Sequence, residues 1–146
     1  MKRASIVNGP IDPAALIAEV QATQFGATSV FLGTVRDTND GRSVRSIDYT
    51  AYTAMAESEM ADILGEAATQ FNVTAIVVEH RVGPLALGEV SIAVVSAHAH
   101  RAPAIECTGF VVDEIKKRVP IWKLEHYIDG GRHWVEPTQP EGAISP

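Results

Sequence analysis

The chain has 146 residues, 46% of them hydrophobic and 21% charged, with a formal net charge of −6. That length fits one domain able to bury its own core, and the acidic balance excludes the broad basic surface of a nucleic-acid or anionic-membrane binder. A single cysteine, Cys107, excludes an internal disulfide and a cysteine cage for a metal; no apolar run reaches the length of a secretory signal or a membrane span, so a cytoplasmic protein is expected.

Residues 4–7 predict a short strand, broken by Asn8-Gly9-Pro10. Asp12 as N-cap and Pro13 at the first helical position open a helix whose apolar side is Leu16, Ile17 and Val20. Residues 27–35 and 44–52 predict strands on either side of a turn rich in Asp37, Asn39, Asp40 and Gly41, and are expected to pair as a hairpin. Ala56, Met60, Ile63, Leu64, Ala67 and Phe71 recur at helical spacing over 53–71. Residues 74–80 predict a strand ended by Val82-Gly83-Pro84, and 89–99 another. A second long helix is expected over 102–118, with Pro103 in its first turn and Pro120 stopping it. Residues 121–128 predict a strand, and Gly130-Gly131 turns into a short one at 133–135. Residues 1–136 are expected to form one α+β domain in two layers, and 137–146 a mobile tail.

Charge is unevenly placed. The chain has four lysines, and none lies between Lys2 and Lys116. Two readings of Lys116, Lys117 and Arg118 stand open: a solvated helix C-terminus favoured by the dipole, or a functional cluster. Lys123 sits between Trp122 and Leu124, on the strand face shared with Ile121 and Glu125. Enclosure near other cations lowers a lysine's pKa and suits it to acid–base work; the plain alternative is an edge-strand lysine that discourages aggregation. His100 and Arg101 fall at a strand-to-helix junction, which suits an anion or a capping pair equally. Arg36 ends a strand and opens a loop. His98 and His100 form an H-x-H without an evident third ligand, and Cys107 reads as a core residue.

In order along the chain stand Phe31-Leu32-Gly33-Thr34-Val35-Arg36, Tyr49 through Met55-Ala56, His80-Arg81-Val82-Gly83, Leu85, Gly88-Glu89, His100-Arg101 with Ala104, Asp113 through Lys116, Val119 through Glu125, and Trp134-Val135-Glu136. This ordered set, Pro120-Ile121-Trp122-Lys123 above all, resembles the catalytic (large) subunit family of molybdopterin synthase. The resemblance implies an α/β hammerhead-like fold with an additional small antiparallel sheet. It implies conversion of cyclic pyranopterin monophosphate (precursor Z) to molybdopterin, with two sulfurs taken from the C-terminal thiocarboxylate of a small ubiquitin-like subunit. A homodimer core carrying one small subunit at each end, a heterotetramer, is implied as well. No resident cofactor, metal, nucleic acid or membrane is implied. Lys116 becomes the prime catalytic residue with Lys123 in support. Thr34, Val35, Arg36, His100, Arg101, Leu124 and Glu125 become substrate-binding, together with the two lysines.

The residues fit that chemistry on their own terms. One core cysteine cannot serve as sulfur source, so the donor is external. A cyclic phosphate needs cations, which Arg36, His100 and Arg101 supply, and clustered positive charge stabilises developing oxyanions. The alternative is a non-catalytic anion-binding or regulatory module of the same fold.

Overall fold

The computed structural model describes residues 1–135. The expected tail, 137–146, lies outside them, as does Glu136. One sheet is built from β1 (Lys2–Val7), β2 (Ala27–Thr34), β5 (Ala75–Arg81) and β7 (Val90–His98), in the order β1-β5-β7-β2. Only β1 and β5 run parallel. Helices α2 (Thr53–Phe71) and α3 (Arg101–Arg118) cover one face, and α1 (Pro13–Val20) covers part of the other. The second, smaller sheet has β4 (Arg42–Ala51) at its centre. On one side of β4 lie β3 (Thr38–Asn39) and β6 (Gly83–Ala86), and on the other β8 (Ile121–Tyr127) and then β9 (Arg132–Val135).

Two expected features are corrected. The strands around residues 27–35 and 44–52 do not pair: β2 joins β7 in the first sheet, whereas β4 joins β8 and β6 in the second. The turn signal between them is real but local. Asp40 and Gly41 both take positive φ and fold back only the two residue pairs of β3 and β4. Val82-Gly83-Pro84 does not simply end a strand, because Gly83–Ala86 forms β6 against β4. Pro84 is tolerated there because a proline in an outer strand need not donate to the ladder.

Helix α1 starts where its cap predicts, with the Asp12 carboxylate accepting from the backbone N–H groups of Ala14 and Ala15. Helix α2 ends on Asn72 in the left-handed region. The main core lies between α2, α3 and the first sheet, where Met60, Ile63, Leu64, Val78, Val94 and Val111 are fully buried. Cys107 is buried in it, as expected, and burial pushes its thiol up to about 11, which keeps it inert. Arg118 joins the helices by reaching Glu59 at 2.9 Å and Glu66 at 2.7 Å. Truncating Leu64 to Ala in this packed interior should cost about 2–5 kcal/mol of stability, read from chemical denaturation.

His80 is buried between the sheets, edge-on to Tyr49 with ring centroids 5.1 Å apart. Its Nδ1 lies 2.9 Å from the Arg81 carbonyl, so that nitrogen carries the proton and donates. Burial lowers its pKa to about 4. Once unfolded, the ring takes up a proton near its ordinary pKa of 6.5, which the folded protein refuses until about pH 4. The unfolded state therefore binds more protons in that window, and stability should fall as pH drops from 6.5 to 4. In His80→Gln that slope should flatten, as measured by denaturation at several pH values.

Candidate functional site

Lys123 and Glu125, two of the expected site residues, share one face of the small sheet. Alternation along β8 sends Ile121, Lys123, Glu125 and Tyr127 toward the interior, and Trp122, Leu124 and His126 to the opposite face. Lys123 lies opposite Tyr49 on β4 and Val135 on β9, so strands flank it on both sides. It is half-buried, and desolvation holds its ammonium below the ordinary lysine pKa. The charges of Lys116 and Arg36 push the same way, while Glu125 and Asp40 oppose them. These groups are the electrostatic neighbours of Lys123. They converge from four stretches of chain: the loop after β2, the β3–β4 turn, the last turn of α3, and β8 itself.

Each neighbour has a local cause. Arg36 follows β2 at a register shift between Gly33 and Thr34. A Cβ on Gly33 would come 2.7 Å from the Ile92 side chain, so glycine permits the close approach at which the strand changes course. Lys116 lies on the last turn of α3. Its neighbours are engaged, Lys117 with Glu114 at 3.6 Å and Arg118 with three carboxylates. Among the described residues, Lys116 alone of the three has no carboxylate partner. Ion pairs thus occupy Lys117 and Arg118, and Lys116 stands exposed in the last turn of α3.

Glu125 is 2% exposed. Its Oε1 accepts from Asn39 Nδ2 at 2.7 Å and from the Tyr127 hydroxyl at 3.0 Å. The Arg42 guanidinium caps the Tyr127 ring, 3.6 Å from its centroid. Asn39, Asp40, Tyr49 and Tyr127 belong to the site's surroundings, yet sequence reasoning read the first two as turn residues, used Tyr49 only in the family resemblance and passed over Tyr127 within a strand. The period-two pattern of β8 was the one available signal, since it puts Tyr127 on the face of Lys123 and Glu125.

Not all expected residues gather here. Leu124 points to the opposite face of β8 from Lys123, across from Trp134 and Asp48. Val35 is buried with Val44, Ile47 and Leu85, and both its backbone groups are bound, to Glu89 and Gly88; it packs the site without lining it. Thr34 is exposed at the end of β2. His100 and Arg101 stand at the N-terminus of α3, beside an open groove with Gly26, Ala27, Ala99 and Ala102. Arg101 and Lys116 are fifteen helical steps apart, about 22 Å along the axis. One chain therefore holds two basic groups at opposite ends of α3. His98 Nδ1 is already engaged, accepting from the His100 backbone N–H at 2.9 Å.

A family model described as "MoaE protein" matches residues 6–118. The molybdopterin synthase catalytic subunit of Pyrococcus abyssi is 44% identical over 120 residues, covering 82% of this chain and 80% of that one. The crystal structure of molybdopterin synthase from Staphylococcus aureus superposes with a TM-score of 0.86 at 32% identity, over 92% of this chain and 97% of that chain. A protein–protein complex of subunits 1 and 2 of molybdopterin-converting factor from Helicobacter pylori matches with a TM-score of 0.73 at 25% identity, over 90% and 88% of the two chains.

The site makes a prediction of its own. Replacing Arg36 by Gln removes one cation from the neighbourhood of Lys123 and leaves Glu125 in place. The Lys123 pKa should then move up toward the ordinary lysine value, detected by NMR titration of the lysine side chain. An unmoved titration would mean that Arg36 does not act on Lys123.

Proposed function

The chain belongs to the MoaE family of molybdopterin synthase catalytic subunits, sulfur-transferring enzymes of molybdenum cofactor biosynthesis, and we propose that it does this chemistry around Lys116 and Lys123. The reaction turns cyclic pyranopterin monophosphate into molybdopterin with sulfur from the thiocarboxylate tail of a small carrier subunit. The observation that carries the assignment of site is the half-buried Lys123, flanked by β4 and β9 and under the influence of the cations Lys116 and Arg36. A lysine with a lowered pKa gives and takes protons nearer neutral pH than a free one. The sulfur addition and the opening of the cyclic phosphate both need such transfers. Lys116, exposed and without a carboxylate partner among the described residues, meets the thiocarboxylate and the developing oxyanion. Arg36 holds phosphate oxygens in its planar fork. Glu125 stays below as a fixed counter-charge.

The second basic group calls for a second copy. His100 and Arg101 cannot reach Lys116 within one chain, whereas a homodimer can bring them to it. The supporting feature is β2, an outer strand of eight residues without charge or proline, the devices that usually protect an edge. Val30 and Leu32 on it are each 40% exposed. Two copies of β2 paired antiparallel about a two-fold axis set the Ala27 end of one beside the Thr34 end of the other. His100 and Arg101 of one copy then approach Arg36 of its partner, and the phosphate is shared. With a carrier subunit on each site, the assembly is a heterotetramer, and the compartment is the cytoplasm.

An in vitro conversion assay tests the reaction, with this protein, precursor Z and a thiocarboxylated carrier. Wild type should form the dithiolene product, and Lys116→Ala should be slower by about 100-fold or more, the usual weight of a positioned acid–base group. Absence of product from wild type, with the carrier bound, would leave a binding module as the better account. Mixing Lys116→Ala with Arg101→Ala tests the shared site. After subunit exchange, about a quarter of the sites should regain both residues and activity should recover in proportion; no recovery means that each chain works alone.

A further inference from the structure

The loop that carries Arg36 has little to hold it. It closes through the β3–β4 turn at Asp40 and Gly41, and the ladder behind that turn is two residue pairs, Thr38 with Ser43 and Asn39 with Arg42. So short a hairpin is marginal by itself. Beside one backbone bond, from the Ile128 N–H to the Ser43 carbonyl at 3.0 Å, three side-chain contacts fasten it to the stretch from Glu125 to Asp129: Asn39 to Glu125, Arg42 over the Tyr127 ring, and Arg42 to Asp129 at 3.0 Å. The last is an exposed ion pair of the kind that contributes little. The first differs in kind, because its acceptor is a buried carboxylate and the bond is short, 2.7 Å.

The chemistry of the two groups fixes the direction of that bond. A carboxylate only accepts, so the amide nitrogen of Asn39 faces Glu125 and its oxygen faces away. On that other side stands Arg36, whose Nη2 lies 3.5 Å from Asn39 Oδ1, a loose contact. Asn39 therefore stands between the cation that opens the loop and the carboxylate that shares a strand face with Lys123.

We infer that Asn39 is a positioning residue, tying the loop 36–41 to β8 through Glu125 and so setting where Arg36 stands relative to Lys123. The inference rests on the reading of this site as the pterin-phosphate pocket. Nothing in it requires Asn39 to touch substrate.

The experiment exchanges donor and acceptor. Asn39→Asp keeps the shape, removes the donor and places a second anion against Glu125. Adding Glu125→Gln restores a donor facing an acceptor with the polarity reversed. Asn39→Ala removes the tie without adding charge. Three readouts are taken on each protein: hydrogen exchange of the loop amides with no substrate present, calorimetric affinity for cyclic pyranopterin monophosphate, and turnover in the conversion assay. Asn39→Asp and Asn39→Ala should each exchange faster over 36–41 and bind about tenfold more weakly, the weight of one hydrogen bond to a charged group. The double variant should recover both loop protection and affinity, yet stay slow in turnover because the counter-charge has moved from Glu125 to position 39, off the strand face of Lys123. A purely structural residue would not give that split. Unchanged exchange in both single variants, or a double variant no better than Asn39→Asp, overturns the inference. If wild type fails to bind the pterin phosphate, the proposed function falls, and the exchange data alone still decide the tie.

Discussion

Lys123 is a cation placed where a cation is costly. It is half-buried, flanked by strands on both sides, with two further cations bearing on it and a buried carboxylate opposing them. Partly removing an ammonium from water is unfavourable unless other groups offset it. Much of the small sheet serves that offset. Glu125 supplies the counter-charge, Asn39 and Tyr127 supply two donors that make its own burial tolerable, and Arg42 covers Tyr127 from outside. Neutral donors satisfy Glu125 without cancelling its field, which an arginine partner would have done.

The first sheet and its helices are the rigid side of the arrangement. Lys116 lies on a helix whose last turn is bound to α2 through Arg118, and whose inner face is locked by Cys107, Val111 and Ile115. Lys123 lies on a strand of the other sheet. The two lysines thus stand on different elements joined by Val119 and Pro120, the two residues between the end of α3 and the start of β8, where Val119 and Ile121 enter the same core as the inner face of α3. That short connection holds the lysines close. Proline makes the exit abrupt because it disfavours a helical residue before it.

Much of this was legible in the chain. The helix at 53–71, its apolar spacing, and the cap at Asp12 follow from local rules, and the structure repeats them. The face of Lys123 followed from alternation alone, and so did its company with Glu125. What could not be read was long-range pairing. Strands 27–34 and 42–51 are neighbours in sequence with a strong turn between them, and the hairpin rule favours joining them. The rule fails because β2 is claimed by β7, which is more apolar than β4 though a residue shorter. Leu124 was placed in the site by the resemblance, within the segment 123–125, although neighbours along a strand point to opposite faces. Asn39 was hidden for a different reason. A turn-forming residue explains itself locally, so nothing in the sequence asks whether its side chain also reaches 86 positions ahead to Glu125.

The separation of the two basic groups is the point at which fold and function constrain each other most. A helix is a poor device for bringing its own ends together and a good one for holding them apart. Cations at both ends of α3 avoid the mutual repulsion that would build up if all of them shared one small surface. They can meet across a symmetry axis when a polyanionic ligand lies between them to neutralise them. On that view the acidic net charge and the local basic residues are compatible. The isolated subunit keeps its cations dispersed and its edge strand β2 unpaired. In the proposed dimer, assembly supplies both the partner strand and the second set of cations, so formation of the shared phosphate site is coupled to formation of the interface.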